Sequence, residues 1–278
     1  MSNLALQPEP APSRQRWSGF AGGRRARSML LGLGGWITFV AAWVFASNVL
    51  LTPFVLPTPA SVLDTMWGIA TSGELFEHFQ WSLIKILVGF ACAVLLGLPI
   101  GYLMGSSRWW KSFFHLPVTV AGNVPGITYA VMALVIFGIA IEGPILAVAL
   151  ISMPYVAHNV AGGVEGIDRG LVKMSEAFGR SRMEIVRHVV VPSVVPFVFA
   201  GVRLSFAIAW KVEALTEVFG SSNGVGFMIR HSYDQFSITD MLAWMFFFVL
   251  FMVLIERLIL QPTERRLFRW RPAEGASA

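Results

Sequence analysis

Apolar residues are arranged along this chain in six long runs separated by polar segments. The runs fall near 29–51, 80–105, 113–140, 144–163, 193–216 and 240–261. Each reaches the ~20 residues that a helix needs to cross the hydrocarbon core of a bilayer. The pattern predicts an all-α, polytopic membrane bundle of six transmembrane helices.

The third run is interrupted by Asn123, Pro125 and Gly126. Proline removes a backbone donor and breaks helices. Freed backbone groups at membrane depth are tolerated only where protein or a cavity covers them. Residues 121–128 are therefore either part of the lining of a translocation path or an ordinary proline kink between packed helices.

The composition fits a membrane protein and offers little catalytic chemistry. Of the 278 residues, 55% are hydrophobic and 13% charged, whereas soluble domains contain about 25% charged residues. Cys92 is the single cysteine, so no disulfide within the chain and no CxxC metal or redox pair is possible. The five histidines are scattered, and we expect neither a metal site nor a catalytic site. No GxxxxGK[ST] phosphate loop is present, so we expect no cofactor in this chain; ATP with Mg would be bound by a separate ATPase chain.

The basic residues predict the orientation. Most of the 21 Lys and Arg lie in the N-terminal tail, in the loops after the second and fourth runs, and in the C-terminal segment, whereas Arg230 falls in a loop on the other side. The positive-inside rule then places both termini and the 164–190 loop in the cytoplasm. We expect a disordered basic tail over 1–28, a transmembrane domain over 29–262 and a second basic tail over 263–278. Since topology accounts for the positive charge, no surface for nucleic acid is predicted.

Three cations lie inside the predicted spans. Arg203 is near the middle of the fifth, where a cation costs from ~2.5 kcal/mol upward and needs a partner in the bundle interior. Lys85 and Lys211 fall in the outer half of the membrane. These cations either attract an anionic solute or have structural roles. The lysines would then reach the outer interface or pair with Glu213 or Glu217.

A glycine-containing turn follows Glu217 at the outer end of the fifth run. Asn223, Gly224 and Gly226 permit a tight or re-entrant turn. Such a turn either gates the path, touches a binding protein, or is an ordinary surface turn.

The loop between the fourth and fifth runs has its own helical pattern. Three apolar residues share one helical face: Leu171, Met174 and Phe178. Gly179 ends this helix, and Ser181 with Glu184 forms an S-x-x-E capping box that starts a second one. We expect two short amphipathic helices, with Pro192 at the start of the fifth span. Their apolar faces either rest on the chain's own helix ends or dock into a groove on a partner protein.

This loop resembles that of a known family. The spacing G-x9-[IV]-x-[LV]-P, present as Gly179, Val189, Val191 and Pro192, is similar to the loop of ABC importer permeases named for its Glu-Ala-Ala start. Similar segments cover roughly 54–260: FVLPTPASVLDTMW, SLIKILVGFACAVLLGLPIGYLMG, GVRLSFAIAW and EVFGSSNGVGFMI. The resemblance is to the branch that imports sulfonates, taurine, nitrate and related nutrients. It implies the fold of a type I ABC importer permease in a bacterial inner membrane.

In that family the loop, here 164–191, contains the coupling helix held by the ATPase subunit. The resemblance assigns this role to Lys173, Met174, Ser175, Glu176, Phe178, Gly179, Arg182 and Pro192. One departure is that Lys173, Met174 and Ser175 replace Glu-Ala-Ala. Either Glu176 or a compensating acidic residue on the ATPase would take over the contact.

The predicted function is that of the membrane-spanning permease subunit of an ATP-driven ABC importer, not an enzyme. Its partners would be an ABC ATPase, a periplasmic solute-binding protein, a second copy of the chain and membrane lipid. The solute would be a small anion such as a sulfonate, taurine or nitrate. The candidate path residues are Asn123, Pro125, Gly126, Arg203, Lys211 and Glu217. The alternatives are a secondary transporter driven by an ion gradient and a non-transporting scaffold. Secondary transporters usually have inverted repeats and intramembrane carboxylates, neither of which is apparent.

Overall fold

The computed structural model describes residues 20–267, and it divides into two units, one ending at Pro59 and the other beginning at Ala60. Residues 1–19 and 268–278 of the predicted tails lie outside the described residues. The described parts of both tails are helical: the first helix begins at Phe20 and the last ends at Leu267. Arginine is a good helix former, so the basic segments next to the spans continue the helices.

The first unit contains one long apolar helix. This helix, α1 (Phe20–Phe45), ends in a π-turn (Ala46–Leu50). The indole N–H of Trp43 donates a hydrogen bond of 3.0 Å to the carbonyl of Pro57, which ties the following segment to the helix. Residues Leu30–Leu50 are long and apolar enough to cross a membrane.

The remaining helices are α2 (Pro59–Ser72), α3 (Glu74–Ser106), α4 (Arg108–Asn123), α5 (Gly126–Phe137), α6 (Glu142–Glu165), α7 (Arg169–Ala177), α8 (Arg182–Ile185), α9 (Val191–Gly220), α10 (Val225–Asp234), α11 (Ile238–Ile255) and α12 (Gln261–Leu267). π-Turns at Val186–Val190 and Glu256–Leu260 join α8 to α9 and α11 to α12.

The spans follow the apolar runs. Five helical segments are long and apolar enough to cross a membrane: Leu30–Leu50, Glu74–Ser106, Glu142–Glu165, Arg182–Gly220 and Ile238–Leu267. The third run is divided between α4 and α5, which meet at an angle of 92° and together form the sixth candidate span. The predicted all-α bundle is confirmed, and so is the interruption at Asn123–Gly126.

Close packing of α3 on α6 forms the centre of the second unit. Gly89, Gly97, Gly101 and Gly105 share one face of α3 and meet valines and backbone carbonyls of α6. A Cβ atom added to Gly101 would lie 2.5 Å from the Ala157 carbonyl oxygen. Small residues are needed here because they let the two backbones approach closely within a membrane.

Antiparallel packing of α9 against α6, with α9 also in contact with α3, completes the core. The Ser205 hydroxyl donates a hydrogen bond of 3.0 Å to the Ser152 carbonyl. Towards α3 and α11, α9 presents Trp210, whose ring centroid lies 4.8 Å from that of Phe248. These contacts hold α9, which bears three of the predicted path residues, at a fixed position between α6 and α11.

Candidate functional site

The short helix α7 lies between α6 and α8 and has defined ends. Asp168 caps its first turn. Its last turn closes in a Schellman motif, with the Gly179 N–H donating to Glu176 at 2.9 Å and the Arg180 N–H to Ser175 at 3.1 Å. Gly179 has a φ of +68°, which favours glycine. The predicted helix end at Gly179 is confirmed.

The predicted capping box at the start of α8 is also present. The Ser181 N–H donates a hydrogen bond of 2.8 Å to the Glu184 carboxylate, and the Glu184 N–H donates one of 3.3 Å to the Ser181 hydroxyl. Because this cap follows the end of α7 so closely, the chain turns sharply between the two helices.

The prediction of a second separate short helix is wrong. The candidate span runs as one helical segment from Arg182 to Gly220, so α8 is the first turn of the span. The Val191 N–H donates to the Val186 carbonyl across the π-turn that precedes Pro192. This wider turn accommodates the missing N–H and the ring of Pro192, which would otherwise break the helix.

The apolar face of α7 is open. Leu171 and Met174 are about half exposed, and Phe178 is 78% exposed. No residue of α7 is buried by the described part of the chain, so this face does not rest on the chain's own helix ends. Large exposed apolar side chains on one short helix mark an interaction surface.

All the predicted coupling residues except Pro192, which lies at the start of α9, belong to α7, the α7–α8 turn and the start of α8. Lys173, Glu176 and Arg182 are exposed. A recess of about 390 Å³ opens next to them, and it is lined by Met174, Ser175, Phe178, Gly179, Arg180 and Glu184. The α7–α8 turn therefore presents a protruding apolar side chain, Phe178, beside a polar recess and charged groups of both signs.

A buried ion pair lies at the opposite end of the bundle. Lys85 on α3 donates from Nζ to Oε1 of Glu217 on α9 at 2.9 Å, and both side chains are almost fully buried. Lys85 also donates to the Ser221 hydroxyl at 2.7 Å and to the Asn223 carbonyl at 2.8 Å. The alternative that Lys85 pairs with a glutamate is confirmed.

The turn before α10 folds over this pair. Gly226 donates its N–H to Oε2 of Glu217 at 2.8 Å, and Val225 donates to the Ser82 hydroxyl at 2.8 Å. Gly224 has a φ of +110°, and a Cβ atom there would overlap the Glu217 carboxylate. The glycines are needed because the backbone approaches the carboxylate directly. Ser82 joins the network from α3 and could not be recognised from the sequence.

A second carboxylate adjoins the pair. Glu213 lies one turn before Glu217 on α9 and is fully buried. Its Oε2 lies 3.3 Å from the Thr216 hydroxyl, whereas Oε1 has no hydrogen-bond partner among the described residues. The cluster thus contains two glutamates and one lysine.

Arg203 is held by carboxylates of the last helical segment. Its guanidinium pairs with Glu256 and lies 2.7 Å from Oε2 of Glu264. The arginine side chain is 36% exposed. Its charge is therefore engaged by α12 and the π-turn before it.

The α4–α5 bend lies beside Lys211. A Cβ atom on Gly126 would be 3.2 Å from Cγ2 of Val212, so the bend packs on α9 next to this lysine. Asn123, Pro125 and Lys211 are all exposed, and Gly126 is partly buried. The structure thus brings four of the six predicted path residues together.

Within the spans of the second unit, exposed polar side chains are unevenly distributed among the helices. In α3 between Trp81 and Pro99, and in α11, every exposed side chain is apolar or aromatic. The helices α4, α5, α6 and α9 instead expose His115, Asn123, Thr128, His158 and Lys211. Polar groups at span depth face protein or water rather than lipid. We call this set the polar side of the bundle.

Comparison with known proteins assigns a family. Residues 93–260 match the family described as "Binding-protein-dependent transport system inner membrane component". The chain is 30% identical over 251 residues to the putative aliphatic sulfonates transport permease protein SsuC of Escherichia coli K12, covering 89% of this chain and 95% of that protein. It is 26% identical to the taurine transport system permease protein TauC of the same organism, covering 88% and 91%.

Solved structures share the fold. An inward-facing MetNI methionine ABC transporter chain matches with a TM-score of 0.61 and 21% identity, over 71% of this chain and 98% of that one. A chain of an amino acid ABC transporter solved with histidines matches with a TM-score of 0.60 and 18% identity, over 73% and 98%.

Proposed function

The chain belongs to the family of binding-protein-dependent transport system inner membrane components, and from that premise we propose that it passes a small organic anion, of the sulfonate class, across the inner membrane. It is the membrane-spanning permease subunit of an ABC importer and not an enzyme. Magnesium-bound ATP is hydrolysed by a separate ATPase subunit, and a periplasmic binding protein delivers the solute. Membership of this family excludes the alternative of a secondary transporter driven by an ion gradient.

The open apolar face of α7 is the observation on which this proposal chiefly rests. Leu171, Met174 and Phe178 form a knob that suits a groove on an ATPase subunit. The two caps at Gly179 and Ser181 fix its direction, so movement of the ATPase would be transmitted to α9. Lys173 stands where the family has its Glu, and we propose that an acidic residue of the ATPase faces it.

The orientation follows from the basic residues. Lys111 lies 2.8 Å from Glu165, which brings the start of α4 and the end of α6 together beside α7. The basic loops therefore gather at one end of the bundle, which supports a cytoplasmic location for that end and for both termini. The α10 end then faces the periplasm.

The polar side of the bundle forms the path in this proposal, closed by a second copy of the chain. Asn123 and Pro125 line it at the α4–α5 bend, and Lys211 lies on the periplasmic side of its centre. Among residues 20–267, the exposed polar side chains at span depth include a lysine and no carboxylate, which favours an anion. Arg203 and Glu217 flank the path as members of structural ion pairs.

The test is reconstitution of the complete transporter. The chain is coexpressed with candidate ATPase and binding-protein chains, placed in nanodiscs, and assayed for ATPase activity. Binding protein is added after loading with taurine, an alkanesulfonate, nitrate or an aromatic carboxylate. We expect the ATPase to co-elute and its activity to rise most with a loaded sulfonate. Co-elution with stimulation by a different solute would contradict the substrate class, and purification of the chain alone would contradict the whole proposal.

A further inference from the structure

Two histidines that are distant in the sequence meet on the polar side of the bundle. His115 on α4 and His158 on α6 have ring centroids 5.9 Å apart and planes at 75°. Both side chains are exposed. No hydrogen bond joins either ring to another described residue, so their nitrogen atoms are available to a ligand.

The pair lies inside the span. Trp109 and Trp110 form an aromatic group at the start of α4, as expected at a membrane interface. His115 is six residues further on, which at 1.5 Å per residue is about 9 Å along the helix. His158 lies about 10 Å from the Glu165 end of α6 by the same measure.

Imidazoles at this depth face water or protein. Exposed polar side chains in the hydrocarbon region are costly, and α3 and α11 present apolar surfaces for lipid. A neutral imidazole offers one N–H donor, and a protonated one offers two and a positive charge. The nearby Glu165 is paired with Lys111, and Arg203 is paired with Glu256 and Glu264. The carboxylates of Glu165, Glu256 and Glu264 are therefore each engaged by a cation.

We propose that His115 and His158 form a binding site for the oxyanion group of the solute on the cytoplasmic half of the path. Their N–H groups donate to the sulfonate oxygens after the solute has passed Lys211 and the α4–α5 bend. This inference rests on the proposed function and names residues that set its preference for an anion.

Water access is tested first by cysteine labelling of the reconstituted transporter. In a Cys92→Ala background, His158→Cys is treated with a methanethiosulfonate reagent that bears a sulfonate group and does not cross membranes. Only a thiolate in water reacts quickly. We expect labelling in the nucleotide-free state, and none for Leu95→Cys on the lipid face of α3. Equal resistance of both cysteines would overturn the inference.

Function is tested by removing and restoring the donors. The double variant His115→Phe/His158→Phe keeps aromatic rings but loses all N–H donors, whereas His115→Gln/His158→Gln keeps amide donors. Hydrogen bonds to a charged group are strong, so we expect sulfonate uptake into proteoliposomes, per ATP hydrolysed, to fall about tenfold in the Phe variant. The Gln variant should retain most uptake, as should Tyr102→Phe on the exposed face of α3.

The outcomes separate this inference from the proposed function. If the ATPase co-elutes and the unmodified transporter imports a sulfonate, but the Phe variant transports equally well, only the histidine site is wrong. If the ATPase does not co-elute with the unmodified chain, the proposed function itself fails.

Discussion

The ammonium group of Lys85 lies 2.9 Å from a carboxylate oxygen of Glu217, and the two residues are 132 positions apart in the chain. Both are buried between α3, α9 and the turn that starts α10. The pair thus fixes the C-terminal end of α9, the helix that also bears Lys211. A buried pair of this kind is costly to break, because the remaining charge is left without a partner.

Removing one member of this pair should therefore destabilise the subunit strongly. We expect Lys85→Met and Glu217→Gln each to lower the free energy of unfolding by about 3–5 kcal/mol. The double variant should lose less than the sum, since no unpaired ion remains from this pair. Thermal unfolding of the purified complex in nanodiscs measures all three, and additive losses would show that the two residues do not interact.

Glu213→Gln is the matched change for Glu217→Gln. Glu213 lies one turn away from Glu217. The cluster holds two glutamates and one lysine, and Lys85 forms its ion pair with Glu217. We expect Glu213→Gln to be neutral or stabilising. If Glu213→Gln lowered the free energy of unfolding as much as Glu217→Gln, Lys85 would depend on both carboxylates and not chiefly on Glu217.

A methyl group at Gly224 should disrupt the turn over the ion pair. Its φ of +110° disfavours other residues, and a Cβ atom would overlap the Glu217 carboxylate. We expect Gly224→Ala to destabilise by about 2 kcal/mol or more. The control is Gly68→Ala in α2, where nothing lies within 4 Å of the added atom. Comparable midpoints of thermal unfolding for both variants would contradict this account of the turn.

The α3–α6 contact should be equally sensitive to added volume. Gly101→Ala places a methyl group 2.5 Å from the Ala157 carbonyl oxygen, and we expect a loss of about 1–3 kcal/mol through separation of the helices. Gly162→Ala in α6 has open space around the new atom and should leave the unfolding midpoint unchanged. Equal stability of the two variants would contradict the close approach of α3 and α6 at Gly101.

Lys211 should act on transport and not on stability. It is exposed beside the α4–α5 bend, and we expect Lys211→Met to reduce sulfonate uptake several-fold while the unfolding midpoint is kept. Lys211→Arg retains the charge and should retain most uptake. Uptake by Lys211→Met at the unmodified rate, with equal protein in the membrane, would remove this residue from the path.

Local signals explain why the α7–α8 turn was predictable. Gly179 and the Ser181–Glu184 box act within one helical turn, so residue type and spacing are sufficient to recognise them. The continuation of the helix through Pro192 was not predictable, because it depends on a π-turn that has no sequence signature of its own. The helical residues at the edges of both basic tails have a local signal, the helix propensity of arginine, that the disorder prediction overlooked.

Most contacts between residues that are distant in the chain could not be predicted from the sequence. Few carboxylates lie inside the spans, so the sequence offers only Glu213 and Glu217 as partners for Lys85. The structure pairs Lys85 with Glu217. For Arg203 the sequence indicated no particular partner. Its partners, Glu256 and Glu264, lie on the last helical segment. His115 and His158 seemed scattered, because only the packing of α4 on α6 brings them together.

Phe178 offers the most direct test of the central claim, which is that α7 docks on an ATPase subunit. It is 78% exposed on α7, and Phe76, at the start of α3, is 74% exposed. Phe178→Ala and Phe76→Ala are each coexpressed with the ATPase and purified through a tag on the permease, and the amount of co-eluting ATPase is measured. We expect Phe178→Ala to lose most of the ATPase and Phe76→Ala to retain it. Full retention by Phe178→Ala would contradict the claim that this helix couples the permease to ATP hydrolysis.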